Sequence, residues 1–158
     1  MNIVQTEQQV GPLLIFLLMI NVSKIEVLKL LAQIDDVIFV GGASEYLQGI
    51  KAELNDIDIS VSSKEVLNEI GYVHTNSDNS FYGLSGKRGF IPLKSVLIDV
   101  FIDEKKPQFR LVDSFKCETV DSMIALQENT LKLGLKTLSD KTRIKLTNNI
   151  NRLKSWQV

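Results

Sequence analysis

The segment from residue 37 to residue 59 constrains the fold more than any other part of the chain. Residues 37–40 are apolar and mostly β-branched or aromatic, which predicts a strand buried on both faces. Gly41 and Gly42 follow, and glycines allow a turn in which the backbone comes close to a ligand. Residues 43–48 predict a short helix ending at Gly49, and its free N–H groups are expected to face the turn as an anion site.

The same segment closes with an alternating run, Asp56-Ile57-Asp58-Ile59. Side chains alternate along a strand, so Asp56 and Asp58 are expected to share one face while the isoleucines enter the core. Two carboxylates about 6–7 Å apart on a rigid strand suit hard cations such as Mg²⁺. The other interpretation of the pair is the solvated face of an edge strand.

This order of residues resembles the DNA polymerase β-like nucleotidyltransferase superfamily, in which an apolar strand and Gly-Gly precede Asp-apolar-Asp-apolar. The stretch V-G-G-A-S-E-Y-L-Q-G before D-I-D-I is similar to two of its groups. One is the small toxin-type or stand-alone nucleotidyltransferases, and the other is the head domain of CCA-adding enzymes and poly(A) polymerases. The head domain carries an Arg-Asp pair where this chain has Ser44-Glu45-Tyr46, which favours the small enzymes.

The resemblance implies an α/β (α+β) fold: a small mixed β-sheet flanked by helices, with a helical C-terminal segment. It also implies a third carboxylate on a neighbouring strand. Asp99, inside the apolar run 95–102, is the candidate, because a lone buried carboxylate there would be costly without a partner. Asp103 shares its face but follows at the break of the strand, and is the poorer candidate. The alternative for Asp99 is a register that places it in solvent.

Carried over to this chain, the resemblance assigns catalysis and the binding of two Mg²⁺ ions, or Mn²⁺, to Asp56, Asp58 and Asp99. It assigns the NTP phosphates to Gly41, Gly42 and the Ser44 hydroxyl. Ordinary use of a serine at a helix start is the alternative for Ser44. The residues themselves add two candidate contacts to the NTP or acceptor at a predicted glycine-flanked turn, Lys87 and Arg88.

The implied activity is metal-dependent transfer of an NMP from an NTP, such as ATP, to a hydroxyl, with release of pyrophosphate. The acceptor is an RNA 3′ end, a protein side chain or a small molecule, and the basic tail favours RNA. The alternative is a catalytically silent member of the fold that binds a nucleotide, a nucleic acid or a protein as a regulator. A further form of this alternative is one half of a toxin–antitoxin or phage–host pair. Glu45, a like charge beside the predicted phosphate loop, motivates this alternative.

Charge is unevenly distributed along the chain. Residues 130–158 carry a net charge of +6 and the remainder −7, which together give −1. In the last predicted helix Lys141, Lys145, Asn148 and Arg152 recur on one face. This stripe is either a surface for RNA or triphosphate, or an ordinary solvated helix face.

Composition excludes several other classes of site. Cys117 is the only cysteine and His74 the only histidine, so an internal disulfide, a cysteine zinc cluster and histidine-based chemistry are not expected. A reducing, cytoplasmic location fits this usage. The apolar run 13–20 is shorter than the ~20 residues that span a bilayer, so no membrane insertion is expected. It is interpreted either as an extra element packed on the domain or as an extension upstream of a start at Met19.

Three parts are predicted along the chain: an apolar N-terminal extension (1–22), a nucleotidyltransferase core (23–112) and a C-terminal helical segment (113–158) of the same domain. Helical periodicity or capping signals predict helices over 24–33, 63–70, 120–133 and 139–156. A strand and hairpin region is expected over 71–93, with turns at 76–79 and 85–89.

Overall fold

The structure, a computed structural model, describes residues 22–65, 67, 73–75, 87–103, 105–134 and 138–157. These residues form four helices and seven strands. The helices are α1 (Lys24–Ala32), α2 (Gly41–Leu47), α3 (Val120–Leu133) and α4 (Asp140–Trp156). The strands are β1 (Ile38–Val40), β2 (Ile57–Val61), β3 (Val73–Thr75), β4 (Lys87–Pro92), β5 (Leu97–Ile102), β6 (Phe109–Val112) and β7 (Phe115–Glu118).

All the described strands belong to one open sheet in the order β3-β4-β5-β2-β1-β7-β6. Two neighbouring pairs are parallel, β2 with β5 and β1 with β7. The other four pairs are antiparallel. The protein is therefore a mixed α/β protein, and this part of the sequence-based prediction is confirmed.

Hydroxyl side chains begin three of the helices. Ser23, Thr119 and Ser139 each accept a hydrogen bond from the backbone N–H three residues later, which satisfies a donor that the helix leaves free. Gly134 caps the end of α3 as predicted. The helices predicted from periodicity at 24–33, 120–133 and 139–156 are thus confirmed.

A hairpin of β6 and β7 was not predicted, since no strand was expected over residues 109–112 and the chain from residue 113 was interpreted as a helical segment. Asp113 and Ser114 join the two strands with φ angles of 47° and 74°. Two positive φ angles are typical of a tight hairpin turn, but glycine or asparagine usually signals them, and neither is present here. Strand β7 pairs with β1, so the central sheet continues beyond the boundary predicted at residue 112.

The turn predicted at residues 85–89 is wrong for residues 87–89, which belong to β4. Lys87, Arg88 and Gly89 pair with successive residues of β5, and this ladder overrides the local glycine signal. The apolar run 13–20, the turn at 76–79 and most of the helix predicted over 63–70 lie outside the described residues. Among the helices that are described, none is long and apolar enough to cross a membrane.

The sheet has two different faces. One packs the largest apolar cluster against α1, with Phe39, Ile57 and Ile59 completely buried. The other face carries a smaller cluster that includes Val40 and Phe101. Because side chains alternate along a strand, Asp58 and Asp99 project from this second face. The packing of the first face therefore fixes which side the two carboxylates occupy.

Candidate acidic pocket

Asp58 and Asp99 face each other across two parallel strands. They are direct register partners of β2 and β5, which places their Cα atoms about 4.8 Å apart. Asp56 is exposed and immediately precedes β2, so the strand begins one residue later than predicted. The parallel pairing of β2 and β5 is what brings together two carboxylates that are far apart in the sequence.

The three predicted carboxylates line one pocket of about 390 Å³. The loop after β1, the ends of β2 and β5, strand β4 and the α3–α4 pair all contribute to its wall. Its lining residues are Gly41, Gly42, Glu45, Lys51, Glu53, Asn55, Asp56, Asp58, Arg88, Asp99, Phe101, Gln127, Lys145, Leu146 and Asn149. Acidic side chains from the strands and cationic side chains from other elements therefore share one cavity.

The pKa of Asp58 is raised from 3.8 to about 7. Burial is the largest cause, because it disfavours the charged carboxylate, and the charge of Asp99 is the next. Asp56 adds to the effect, whereas the Gly42 N–H and Arg88 oppose it. The carboxylates of Asp58 and Asp99 are thus held close together, and Asp58 is largely removed from water.

Arg88 is the ion-pair partner of Asp99, with its Nη2 atom 3.2 Å from Oδ1. Its guanidinium also lies over the Phe101 ring, 5.3 Å from the centroid. The Asp99 side chain is 15 % exposed and faces the pocket, so it does not project into bulk solvent as the alternative register required. Of the two predicted basic residues, Arg88 belongs to the pocket, and the Lys87 side chain lies outside the described residues.

The backbone N–H groups of Gly41 and Gly42 line the pocket but are already used. Gly42 donates to Asp58 Oδ2 at 3.3 Å, and Gly41 donates to the Glu118 carboxyl group. Helix α2 begins at Gly41, two residues earlier than predicted, and has only seven residues. In this arrangement the N–H groups predicted to cradle phosphate face protein carboxylates instead.

Ser44 does not line the pocket, and its predicted role as a phosphate donor is corrected. The side chain is completely buried, and its Oγ donates to the Glu118 carbonyl at 2.7 Å. The same Oγ accepts from Gln48 Nε2 at 2.8 Å. Ser44 therefore fastens α2 to the end of β7, because a helix start beside a buried strand end leaves a carbonyl that needs a donor.

Glu45 is neutralised by two cations. Its carboxylate lies 3.7 Å from Lys51 Nζ and 2.5 Å from Arg152 Nη1, the second contact being an ion pair without hydrogen-bond alignment. The like charge expected beside the glycine loop is thus compensated within the fold. Of the stripe predicted on α4, Arg152 points inward to Glu45, and Lys145 lines the pocket while Asn148 is exposed.

Sequence reasoning did not predict several of the pocket residues, among them Lys51, Gln127 and Asn149. Lys51 follows the short helix without any motif. Asn149 lies four residues after Lys145, and this helical spacing was the available signal. Gln127 is a polar residue on the buried side of α3, a position that the sequence alone does not mark.

The pocket suits a hard divalent cation by its chemistry, because Asp56, Asp58 and Asp99 offer only oxygen donors whose crowding a cation would relieve. Within the described residues no three acidic, histidine or cysteine side chains are yet close enough to hold one ion. Binding by all three would require the carboxylates to come closer together, and each of Asp58 and Asp99 uses only one of its two oxygens in the contacts with Gly42 and Arg88.

The fold and site define a mixed α/β protein with an acidic pocket rimmed by cations. No protein-family model matches the chain, and neither a curated protein nor a solved structure matches it significantly.

Proposed function

We propose that the protein is a metal-dependent nucleotidyltransferase that moves an NMP from an NTP to a hydroxyl acceptor and releases pyrophosphate. One observation carries the proposal. Asp58 and Asp99 are register partners on parallel strands, and with Asp56 they line the same cavity as Arg88, Lys51 and Lys145. An NTP brings both a metal-binding triphosphate and negative charge, so it needs carboxylates and cations on opposite sides of one site.

In the reaction the acceptor hydroxyl oxygen forms a bond to the α-phosphorus, and the bond from that phosphorus to the α–β bridging oxygen breaks. The bridging oxygen leaves with pyrophosphate. Asp99, which lies opposite Asp58 at the pocket wall, is the group proposed to take the hydroxyl proton. Two Mg²⁺ ions, or Mn²⁺, held by Asp56, Asp58 and Asp99, would neutralise charge on the phosphates.

The cations of the pocket have a matching role. Arg88 lies in the pocket beside Asp99, where a guanidinium can contact the phosphates of a bound NTP. Lys145 is exposed at the pocket and makes no ion pair among the residues that the structure describes, so its charge is available without rearrangement. Gly41 and Gly42 can donate to phosphate only after their carboxylate partners move.

An RNA 3′ end is the favoured acceptor, ahead of a protein side chain or a small molecule. The support is the charge of α4, where Lys141 and Lys145 are exposed next to the pocket side of the helix. A cytoplasmic location goes with this proposal because NTPs and RNA are cytoplasmic substrates.

The test is incubation of the protein with each α-labelled NTP, Mg²⁺ and either total RNA or a protein lysate. Label entering a product with wild type, and absent with Asp56→Ala/Asp58→Ala, supports the proposal and identifies the acceptor class. Glu128→Gln is the matched control, because this exposed carboxylate on α3 lies outside the acidic pocket. No labelled product in any fraction, together with no NTP binding by calorimetry, would overturn the proposal.

A second function is favoured by a different observation. Asp99 is already paired with Arg88, and the Gly42 N–H with Asp58, so the pocket satisfies its own charges. These two internal contacts, although they leave Lys145 without an ion pair among the described residues, suit a catalytically silent protein that binds a nucleotide, a nucleic acid or another protein as a regulator. NTP binding without transfer to any acceptor, unchanged by removal of Mg²⁺, would favour this second function.

A further inference from the structure

Gln127 is the most unusual polar residue of the pocket. It is only 7 % exposed, and in the described part of the chain its buried Oε1 atom has no hydrogen-bond partner. A buried amide without a partner costs free energy, and the protein gains nothing structural from it. Gln127 nevertheless lines the same cavity as Asp58 and Asp99, with Gln127 on helix α3 and the two carboxylates on strands β2 and β5.

Asn149 accompanies Gln127 on the helical side of the cavity. Its Oδ1 atom accepts from Arg152 Nη2 at 3.5 Å, and Arg152 is in turn paired with Glu45. This chain of contacts fixes the orientation of the Asn149 amide, so that its NH₂ group is the part left to contact a ligand. The α3–α4 wall thus presents neutral amides, whereas the sheet wall presents carboxylates.

The unpartnered atom of Gln127 is an acceptor, and this decides which part of an NTP it can contact. Phosphate oxygens are themselves acceptors, so the Oε1 atom needs a donor that the triphosphate does not have. A nucleobase has such a donor in its amino group or ring N–H, and beside it an acceptor that the NH₂ group of a glutamine can contact. Each of the four bases presents a donor next to an acceptor on at least one edge, so the amide indicates contact with a base and does not by itself indicate which one.

We propose that Gln127, with Asn149 beside it, is the nucleobase-recognition subsite of this pocket, and that its amide distinguishes among the bases of the four NTPs. The inference rests on the proposed function, because it takes an NTP as the ligand whose phosphates lie on the sheet side. The inference also explains why α3 contains a buried amide oxygen without a hydrogen-bond partner among the described residues. Gln127 is then a specificity residue whose hydrogen bonds are completed by the substrate.

The test combines nucleotide binding with stability for Gln127→Leu. Calorimetry measures binding of the four NTPs and of inorganic tripolyphosphate, all with Mg²⁺. We expect wild type to bind one of the four NTPs roughly tenfold or more tightly than the others. The Gln127→Leu variant should lose this preference and keep its affinity for tripolyphosphate. Its Tm should be equal to or higher than that of wild type, because an unpartnered buried amide is removed.

Gln48→Leu is the matched control. Gln48 is also a glutamine with a buried environment, but its Nε2 atom donates to Ser44 Oγ and to the Glu118 carbonyl, each at 2.8 Å. Its replacement should lower the Tm and leave the base preference unchanged. A binding role for Gln127 therefore predicts that Gln127→Leu changes the base preference without lowering the Tm, and that Gln48→Leu lowers the Tm without changing the base preference. A structural role for Gln127 does not predict this difference.

Each other outcome has a definite meaning. If Gln127→Leu lowers the Tm and leaves the NTP preference intact, Gln127 is structural and the inference is wrong. If wild type binds the four NTPs with equal affinity, Gln127 does not recognise the base and the inference is wrong. If wild type binds neither any NTP nor tripolyphosphate, the proposed function itself fails.

Discussion

Two kinds of buried carboxyl group occur in this protein, and they differ in what surrounds them. Asp103 and Glu118 each accept a hydrogen bond from a serine hydroxyl, at 2.7 Å from Ser60 and 2.8 Å from Ser122. Burial raises the pKa of both groups. In the pocket, by contrast, Asp58 lies opposite Asp99, and the charge of Asp99 is the second cause of its raised pKa.

The difference teaches that a raised pKa does not by itself mark a functional site. Asp103 and Asp99 project from the same face of β5 and its continuation, yet the structure gives Asp103 a neutral donor and removes it from the pocket. Groups that repel each other reduce the stability of the fold, and such an arrangement suggests a ligand that relieves the repulsion. Four experiments test this comparison, beginning with the largest expected effect.

The first compares Asp99→Asn with Asp103→Asn. In the proposed mechanism Asp99 contacts the reacting atoms, so its loss is expected to lower the rate of label transfer roughly a thousandfold. Asp103→Asn keeps a hydrogen-bonding side chain beside Ser60 and should leave the rate within about twofold. Single-turnover assays with the identified acceptor measure both rates. Equal losses in the two variants would remove the distinction between the two kinds of carboxyl group.

The second concerns pH and Glu118, whose pKa is raised from 4.5 to about 7 by burial. The folded state then binds a proton more tightly than the unfolded state, so this stability is fully present below pH 4.5 and is lost as pH rises through 7. The loss is about 3 kcal/mol at most. Urea unfolding of wild type and Glu118→Gln at pH 4 and pH 8 measures it.

We expect the free energy of unfolding of wild type to fall relative to Glu118→Gln as the pH is raised. Taking the difference between the two proteins cancels every other group that titrates in this range, including Asp58. A difference that stays constant between the two pH values would show that Glu118 is not held protonated by the fold.

The third adds Mg²⁺ to the metal-free protein and measures the Tm. A cation that binds the folded pocket alone raises the free energy of unfolding, by about 2 kcal/mol when its concentration is tens of times Kd. The increase should be lost in Asp58→Asn and retained in Asp103→Asn, because only the first is a pocket carboxylate. EDTA should reverse it. An equal increase in all three proteins would indicate that the ion binds elsewhere.

The smallest expected effect concerns the serine partners. Ser60→Ala removes the hydroxyl that donates to Asp103, and Ser122→Ala removes the one that donates to Glu118. Each should lower the free energy of unfolding by about 1 kcal/mol, measured by urea unfolding. Neither should change NTP binding, because neither serine lines the pocket. Weaker NTP binding by Ser60→Ala would show that the carboxyl groups bonded to serines also affect the pocket, which would contradict the distinction between the two kinds of carboxyl group.

Much of the local structure could be predicted from the sequence. The helical periods of α3 and α4, the Ser23 and Ser139 caps and the buried strand before the glycines are local signals, because each depends on residues a few positions apart. The alternation around Asp58 likewise determined which side chains share a face. The hairpin of β6 and β7 was missed because its turn lacks the usual residues.

The site itself depended on contacts that no local pattern contains. The sequence named Asp56, Asp58 and Asp99 as carboxylates of one site by resemblance, but their meeting in one pocket depends on the parallel pairing of β2 with β5. The same is true of Ser44. Its position after two glycines predicted a contact with a ligand, but in the structure its hydroxyl donates to the Glu118 carbonyl at the end of β7.

The sequence by itself therefore determined the elements and the alternation of their faces, because backbone geometry couples residues two, three or four positions apart. Only the tertiary structure decided which carboxylates oppose each other, which are satisfied by serines, and that a glutamine of α3 enters the pocket without a partner. These relations join residues tens of positions apart, and burial and Coulomb energies depend on distance in space, not along the chain.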